Sequence, residues 1–305
     1  MSKKNIKFFR FQRFIFSVTD FDSKYFSEIE KYFPKQNNVK PSFKFEILKS
    51  NSKFQIDSPK VHSTPNLDYY RENDSFYIVF KRDGSFCEIK SDECKFYVEE
   101  FLCERTDVFF DWMFEIALVE VLRKNGYYFL HAGCVAKNDF CVVIPGASGN
   151  GKTTLSYLLS QNGFKLVSDD RIFFEEESNF CFAFPTPVKL TEESQRLLNL
   201  NLNEEVSYQG KALVSKNTFE TTEKAIPKIF VFPKIIKGKS SLSKLEKSEA
   251  FSKLLSLSLT LSDFRAVKSQ LSKMQSILND CQCFELNFGQ DFEEIPRIFE
   301  NLLEN

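Results

Sequence analysis

The sequence holds only two histidines, His62 and His131, among 305 residues, and its charged side chains cancel to a formal net charge of -1. That balance leaves no broad basic field for a polyanion, so nucleic acid is not an expected partner. No apolar run is long enough to cross a bilayer. The first residues are basic at Lys3, Lys4, Lys7, Arg10 and Arg13, but their phenylalanines alternate with charge instead of forming the apolar block of a signal peptide. A cytoplasmic protein without a membrane partner is expected. Internal repeats and low-complexity tracts are missing too. With so few histidines to supplement them, the eight cysteines fall into no ligand pattern. Cys87, Cys141 and Cys181 sit in strand-like apolar runs and only Cys281 and Cys283 are close neighbours. They are read as buried free thiols, not as a metal or redox centre.

What is present is ample apolar material, 42% hydrophobic and 15% aromatic, in a chain long enough for two domains. To about residue 105 the pattern is alternating, with strands expected at Ile6 to Val18, Phe43 to Leu48, Phe76 to Phe80, Phe86 to Ile89 and Phe96 to Val98. Arg82-Asp83-Gly84-Ser85 reads as a hairpin turn. Helices are expected over Asp22 to Tyr32 and Val108 to Lys124, the second stopped by Gly126. The alternation of Lys and Arg with Phe near the start is read as a strand with one wet face, in preference to a docking strip for an acidic peptide.

From Tyr127 the order becomes strand, loop, helix, strand, an α/β layout with ligands at strand ends. A hairpin is expected over Ile172 to Phe184, then a polar segment from Thr191 to Lys224 and a core strand at Lys228 to Phe232. Helices follow at Lys247 to Leu257 and at Ser262 to Asn279 with Ser262 as N-cap, then a strand at Cys283 to Leu286 and a helix from Phe292 to Leu303. The expected division is 1–105, a β-rich N-terminal region, and 106–305, a nucleotide-handling domain.

Gly146-Ala147-Ser148-Gly149-Asn150-Gly151-Lys152-Thr153-Thr154 is a complete phosphate-binding loop, preceded by the apolar run Phe140 to Ile144 and followed by Leu155, Leu158 and Leu159 on one helical face. The glycines let backbone N–H groups turn inward onto phosphate oxygens. In such a loop Lys152 reaches the β and γ phosphates, Thr153 holds Mg²⁺, and a helix N-terminus lies beneath. One helix later come Ser168-Asp169-Asp170 at the end of a strand-like run. Adjacent acids there are costly unless solvated, paired or metal-bound. Beside a triphosphate, one can hold Mg²⁺ while the other accepts a hydroxyl proton. His131 is placed at the edge of the same crevice, at the end of an expected strand Phe129 to Ala132, although a lone histidine in such a run is also an ordinary core residue.

The sequence His131-Ala132-Gly133, then the loop, then Ser168-Asp169-Asp170 resembles the catalytic core of HPr kinase/phosphorylase and its relatives, among them kinases encoded beside ribosomal-peptide clusters and, more distantly, ATP-dependent phosphoenolpyruvate carboxykinase. The resemblance is sharp over residues 127 to 190, diffuse to the C-terminus, and absent from the N-terminal region. It implies a carboxykinase-like α/β P-loop core and transfer of the ATP γ-phosphoryl group, with Mg²⁺, to a hydroxyl, that of a serine in a protein or peptide acceptor. It also implies Asp170 as base, Asp169 with Thr153 as metal holders, and His131 as an assistant. The glycine-rich signature that follows the acid pair in true HPr kinases is missing, so phosphorylase activity, hexamers and HPr itself are not carried over. Lys189, just past Pro185-Thr186-Pro187, and Arg265 are candidate phosphate or acceptor contacts, weighed against plain surface charges. A small-molecule kinase on the same core and a nucleotide-binding regulatory module without transfer are the rival readings.

Overall fold

The computed structural model describes residues 5–37, 39–50, 53–185, 188–197, 212–214, 219–258 and 264–304. Two compact units are formed, Met1–Asn125 and Gly126–Leu259 with Phe264–Asn305. Each contains a mixed sheet, so the α/β class holds at that level.

The first unit is built on a nine-stranded sheet, in spatial order Lys35–Gln36, Asn5–Phe11, Phe14–Asp20, Phe43–Lys49, Glu93–Val98, Phe86–Ile89, Ser75–Phe80, Leu67–Glu72 and Lys60–Ser63. Alternation drives it: Phe43, Phe45 and Ile47 are buried on one face while Lys44 is exposed between them. The expected single strand Ile6 to Val18 is instead a hairpin, Asn5–Phe11 paired antiparallel with Phe14–Asp20 around Gln12 at φ 52°. Only Gln12-Arg13 separates Phe11 from Phe14, with no glycine, proline or asparagine to mark a turn. Lys60–Ser63 escapes sequence reading for the opposite reason, because all four of its residues are exposed and no alternation exists.

The expected helix Val108 to Lys124 is broken into Thr106–Phe109, a π-helical turn Phe110–Phe114, and Glu115–Lys124. Phe109, just before the wide turn, and Phe114, at its end, bring two rings onto the sheet. Phe109 meets Phe96 edge-on at 5.1 Å, and Phe114 lies 5.1 Å from Phe45 and 6.1 Å from Phe16. This aromatic packing places the helical stretch in the first unit, so the chain divides at Asn125 and Gly126, where Gly126 ends the helix at φ 79°.

In the second unit the strand Tyr127–Lys137 runs for 11 residues and turns through Asn138, at φ 56°, into Phe140–Pro145. His131 is therefore mid-strand, not at a strand end as expected, because the apolar pattern continues through Val135. One edge of the long strand pairs with Phe140–Pro145; the other pairs with Arg171–Glu175 and then Lys165–Ser168. Phe140–Pro145, Lys224–Ile235 and Gln282–Phe288 are mutually parallel neighbours. Cys181–Ala183 joins Arg171–Glu175 to Lys224–Ile235, so the pairings return to Phe140–Pro145 and close a ring of strands.

Both faces of this sheet are covered. One packs Leu130, Cys134, Val143 and Phe230 against Leu254, Met274 and Ile277 from the helices Lys247–Leu255 and Phe264–Asp280. The other packs Val135, Ile144 and Ile229 against Leu155, Leu159 and Phe299 from the helices Lys152–Ser160 and Ile295–Glu304. Within the expected polar segment, the short helix Glu192–Leu197 follows Val188–Leu190, which pairs with Ala212–Val214; residues 198–211 and 215–218, and the expected cap Ser262, lie outside the described residues.

Phe16 is fully buried among Phe33, Phe45 and Phe114. Phe16→Ala is expected to destabilise the first unit by about 3–5 kcal/mol. Trp112 is the chain's one tryptophan and lies in that unit, so its fluorescence during denaturant unfolding is the probe. An unshifted midpoint would contradict this packing.

Candidate functional site

The phosphate loop leaves the end of Phe140–Pro145 and enters the helix Lys152–Ser160. Its conformation needs glycine at two points, Gly149 at φ 87° and Gly151 at φ 90°. At Gly151 the constraint is steric as well, since a Cβ would meet the Phe288 ring at 3.1 Å. The Asn150 N–H donates to the Ala147 carbonyl at 3.3 Å, closing a tight turn within the loop. Ala147, Ser148 and Gly149 are exposed, Asn150 and Thr153 half-buried, and Gly146, Lys152 and Thr154 buried. The first N–H groups of the helix have no acceptor within it, and its dipole is positive here. That is a cradle for an anion. Lys152 folds back so that its Nζ donates to the Ala147 carbonyl at 3.1 Å.

Thr154 faces away from the loop mouth. Its Oγ1 lies 3.0 Å from Ser194 Oγ, which in turn lies 3.0 Å from Thr191 Oγ1. Thr191 Oγ1 also accepts from the Ser194 N–H at 3.2 Å. These hydroxyls tie the loop helix to the short helix Glu192–Leu197.

The acid pair occupies the corner between Lys165–Ser168 and Arg171–Glu175. Ser168 shapes the corner by accepting the Arg171 N–H on its Oγ at 3.2 Å. The two acids have different surroundings. Asp169 is 4% exposed and its Oδ2 accepts the Lys189 N–H at 3.3 Å. Burial, reinforced by the Asp170 charge, raises its carboxyl to about 7. Asp170 has a side chain 36% exposed, with Oδ1 3.3 Å from His131 Nδ1 and Oδ2 3.6 Å from Arg171 Nε. His131 and Arg171 are direct cross-strand partners, so both side chains rise from one face of the sheet beside Asp170.

Gly133 holds these parts together. A Cβ there would lie 2.5 Å from Ser156 Oγ, 3.3 Å from the Asp169 carbonyl oxygen and 3.6 Å from the Lys152 carbonyl oxygen. The long strand thus comes into backbone contact range of both the loop helix and the acid corner. Beside the loop, a cavity of about 250 Å³ is lined by residues that include Gly146, Asn150, Phe232, Lys234 and Leu257.

The sequence-derived set therefore gathers around one strand: the loop on one side, Asp169 and Asp170 on the other, His131 between. Lys189 enters through its backbone N–H. The Arg265 side chain lies outside the described residues. Arg171 was missed, though its position directly after the acid pair and at the start of a strand was a usable signal. The hydroxyls of Thr191 and Ser194 were missed as well, because nothing in a polar stretch marks which hydroxyls face a partner.

No family profile and no curated protein matches the chain. Among solved structures, the HPr(Ser) kinase/phosphatase from Coxiella burnetii aligns with 58% of this chain and 94% of its own, at 14% identity and a TM-score of 0.31.

Asp169 offers a test of the site's electrostatics. Its folded-state carboxyl titrates well above the unfolded value of 3.8, so ionisation opposes folding. The penalty is absent below about pH 4, grows as pH rises, and is complete once pH exceeds about 7. Asp169→Asn, which retains an acceptor for the Lys189 N–H, is expected to be more stable than wild type at pH 8 without divalent cations, with the difference vanishing near pH 4. Melting temperatures across that range decide it; a pH-independent difference would contradict the buried, raised carboxyl.

Proposed function

We propose that this chain is a Mg²⁺-dependent kinase that transfers the γ-phosphoryl group of ATP to a hydroxyl, that of a serine in a protein or peptide. The observation that carries the reading is the placement of His131, Asp170 and Arg171 on one side of the strand whose neighbour ends in the phosphate loop. A loop alone serves many nucleotide-binding proteins. A half-exposed carboxylate oriented by an imidazole and a guanidinium beside it is what hydroxyl activation requires.

On this reading the loop N–H groups and Lys152 bind the phosphates, with Lys152 exchanging the Ala147 carbonyl for a phosphate oxygen. The donor set suits Mg²⁺, a hard cation held by oxygen: Thr153 at the first turn of the loop helix and the buried Asp169 carboxylate. Mg²⁺ there would neutralise charge on the β and γ phosphates and would favour the ionised form of Asp169. Burial keeps Asp169 from a macromolecular acceptor, whereas Asp170 is open to solvent and takes the hydroxyl proton on a carboxylate oxygen. His131 Nδ1 and Arg171 Nε fix the direction of that carboxylate. Most of the acceleration comes from positioning and charge neutralisation. The first unit, Met1–Asn125, recognises the acceptor in this proposal.

The test is incubation of the purified protein with Mg²⁺ and γ-labelled ATP in a host lysate, beside two variants. Wild type is expected to label a protein or peptide. Lys152→Ala should lose roughly 10²-fold or more of that transfer with its fold unchanged. Asp170→Asn should keep nucleotide binding and lose about 10²–10⁴-fold in transfer. Label confined to a small molecule would replace the protein acceptor, full activity in Asp170→Asn would remove it as base, and nucleotide binding without transfer would leave a regulatory module.

A further inference from the structure

Three cysteine sulfurs meet inside the second unit, two from a pair of consecutive strands and the third from a strand that the chain reaches 40 residues after Cys141. Cys134 lies on Tyr127–Lys137, Cys141 on Phe140–Pro145 and Cys181 on Cys181–Ala183. The Sγ atoms of Cys134 and Cys181 are 3.7 Å apart, those of Cys141 and Cys181 3.4 Å, and all three lie within 4.8 Å of one another. None is exposed at all. Register produces the meeting. Cys134 opposes Val143 and Ala136 opposes Cys141, so the two cysteines are diagonal neighbours on one face. Cys181 pairs with Ala225, two residues from the Pro227 that pairs with Cys141.

Three thiols can pack as small apolar groups. Here, however, hydrogen bonds converge on one of them. Cys181 Sγ is approached by both other thiols, at 3.7 Å from Cys134 and 3.4 Å from Cys141. Among the described residues no histidine or carboxylate joins the group, which leaves it without the oxygen ligands that Mg²⁺ or Ca²⁺ takes. Two sulfurs bound to one tetrahedral zinc at about 2.3 Å lie about 3.8 Å apart, close to the separations found.

We propose that Cys134, Cys141 and Cys181 form a three-thiolate site for a soft d¹⁰ metal ion of the Zn²⁺, Cd²⁺ or Cu⁺ class. Binding replaces the three sulfur protons by three metal–sulfur bonds, the protons pass to solvent, and no oxidant or reductant takes part. Because the sulfurs are sealed in the core, the ion enters as the chain folds. It then pins the strand that carries His131, the strand that feeds the phosphate loop, and Cys181–Ala183. The site is independent of the proposed kinase chemistry. All eight cysteines are free thiols, as the sequence leads one to expect, and the proposal departs from that reading for these three alone.

The experiment is anaerobic refolding of the full chain with Cd²⁺, followed by gel filtration with a weak chelator that strips oxygen-bound ions. Bound cadmium and thiolate-to-cadmium charge-transfer absorption are then read. Wild type is expected to retain about one Cd²⁺ per chain with that absorption and a raised melting temperature. Cys181→Ser and Cys141→Ala should lose the metal and the band, while Cys281→Ser/Cys283→Ser keeps both. Wild type refolded with only traces of Cd²⁺ would overturn the proposal whatever the variants do. So would stoichiometric Cd²⁺ that survives in Cys181→Ser, or that is lost from the Cys281→Ser/Cys283→Ser control.

Discussion

The second unit depends on how closely one strand approaches one helix. At Gly133 the strand Tyr127–Lys137 lies so near the helix Lys152–Ser160 and the corner at Asp169 that a single added methyl group would press on the Ser156 hydroxyl and on the Asp169 carbonyl oxygen. Interiors pack without slack, so this contact sets the separation between the phosphate cradle and the acids. His131, two residues before Gly133, inherits its position from the same contact. A site assembled this way is borne largely by rigid elements, with loop backbone confined to the glycine-bearing cradle and to the two-residue corner of Asp169 and Asp170.

Much of this was legible in the sequence. The loop announced itself because its backbone conformation needs glycine at fixed points, and Gly149 and Gly151 take the left-handed geometry that such a reading requires. The acid pair was found as adjacent charges at the end of an apolar run. Strands such as Phe43–Lys49 and Ser75–Phe80 were found because they alternate between a buried and a wet face. What stayed hidden obeys no local period. Gln12 turns the chain with no glycine, proline or asparagine beside it, the π turn at Phe110–Phe114 widens one turn inside an apolar helical pattern, and Lys60–Ser63 buries nothing. Similarly, the pairing of His131 with Arg171 and the meeting of Cys134, Cys141 and Cys181 are products of register between strands. One-dimensional spacing does not contain register.

The two acids show how one corner can yield unlike groups from like residues. Asp169 is enclosed beside the Asp170 charge, so its own charge is disfavoured even though the Lys189 N–H that it accepts works the other way. Asp170, one residue on, faces solvent and two nitrogen-bearing side chains. The separation comes from the turn itself, which sends successive side chains to opposite environments. No difference in residue type is involved, and a reading of residue types alone leaves the two interchangeable.

The hydroxyls of Thr154, Ser194 and Thr191 have a consequence of their own. Thr191 donates its hydroxyl hydrogen to Ser194 Oγ, whereas the bond between Ser194 and Thr154 can run in either direction. Reversing it moves no heavy atom. The loop helix therefore stays fastened to Glu192–Leu197 whichever way the Thr154 hydrogen points, so the two helices are tied by a bond whose polarity can change while the scaffold stands still.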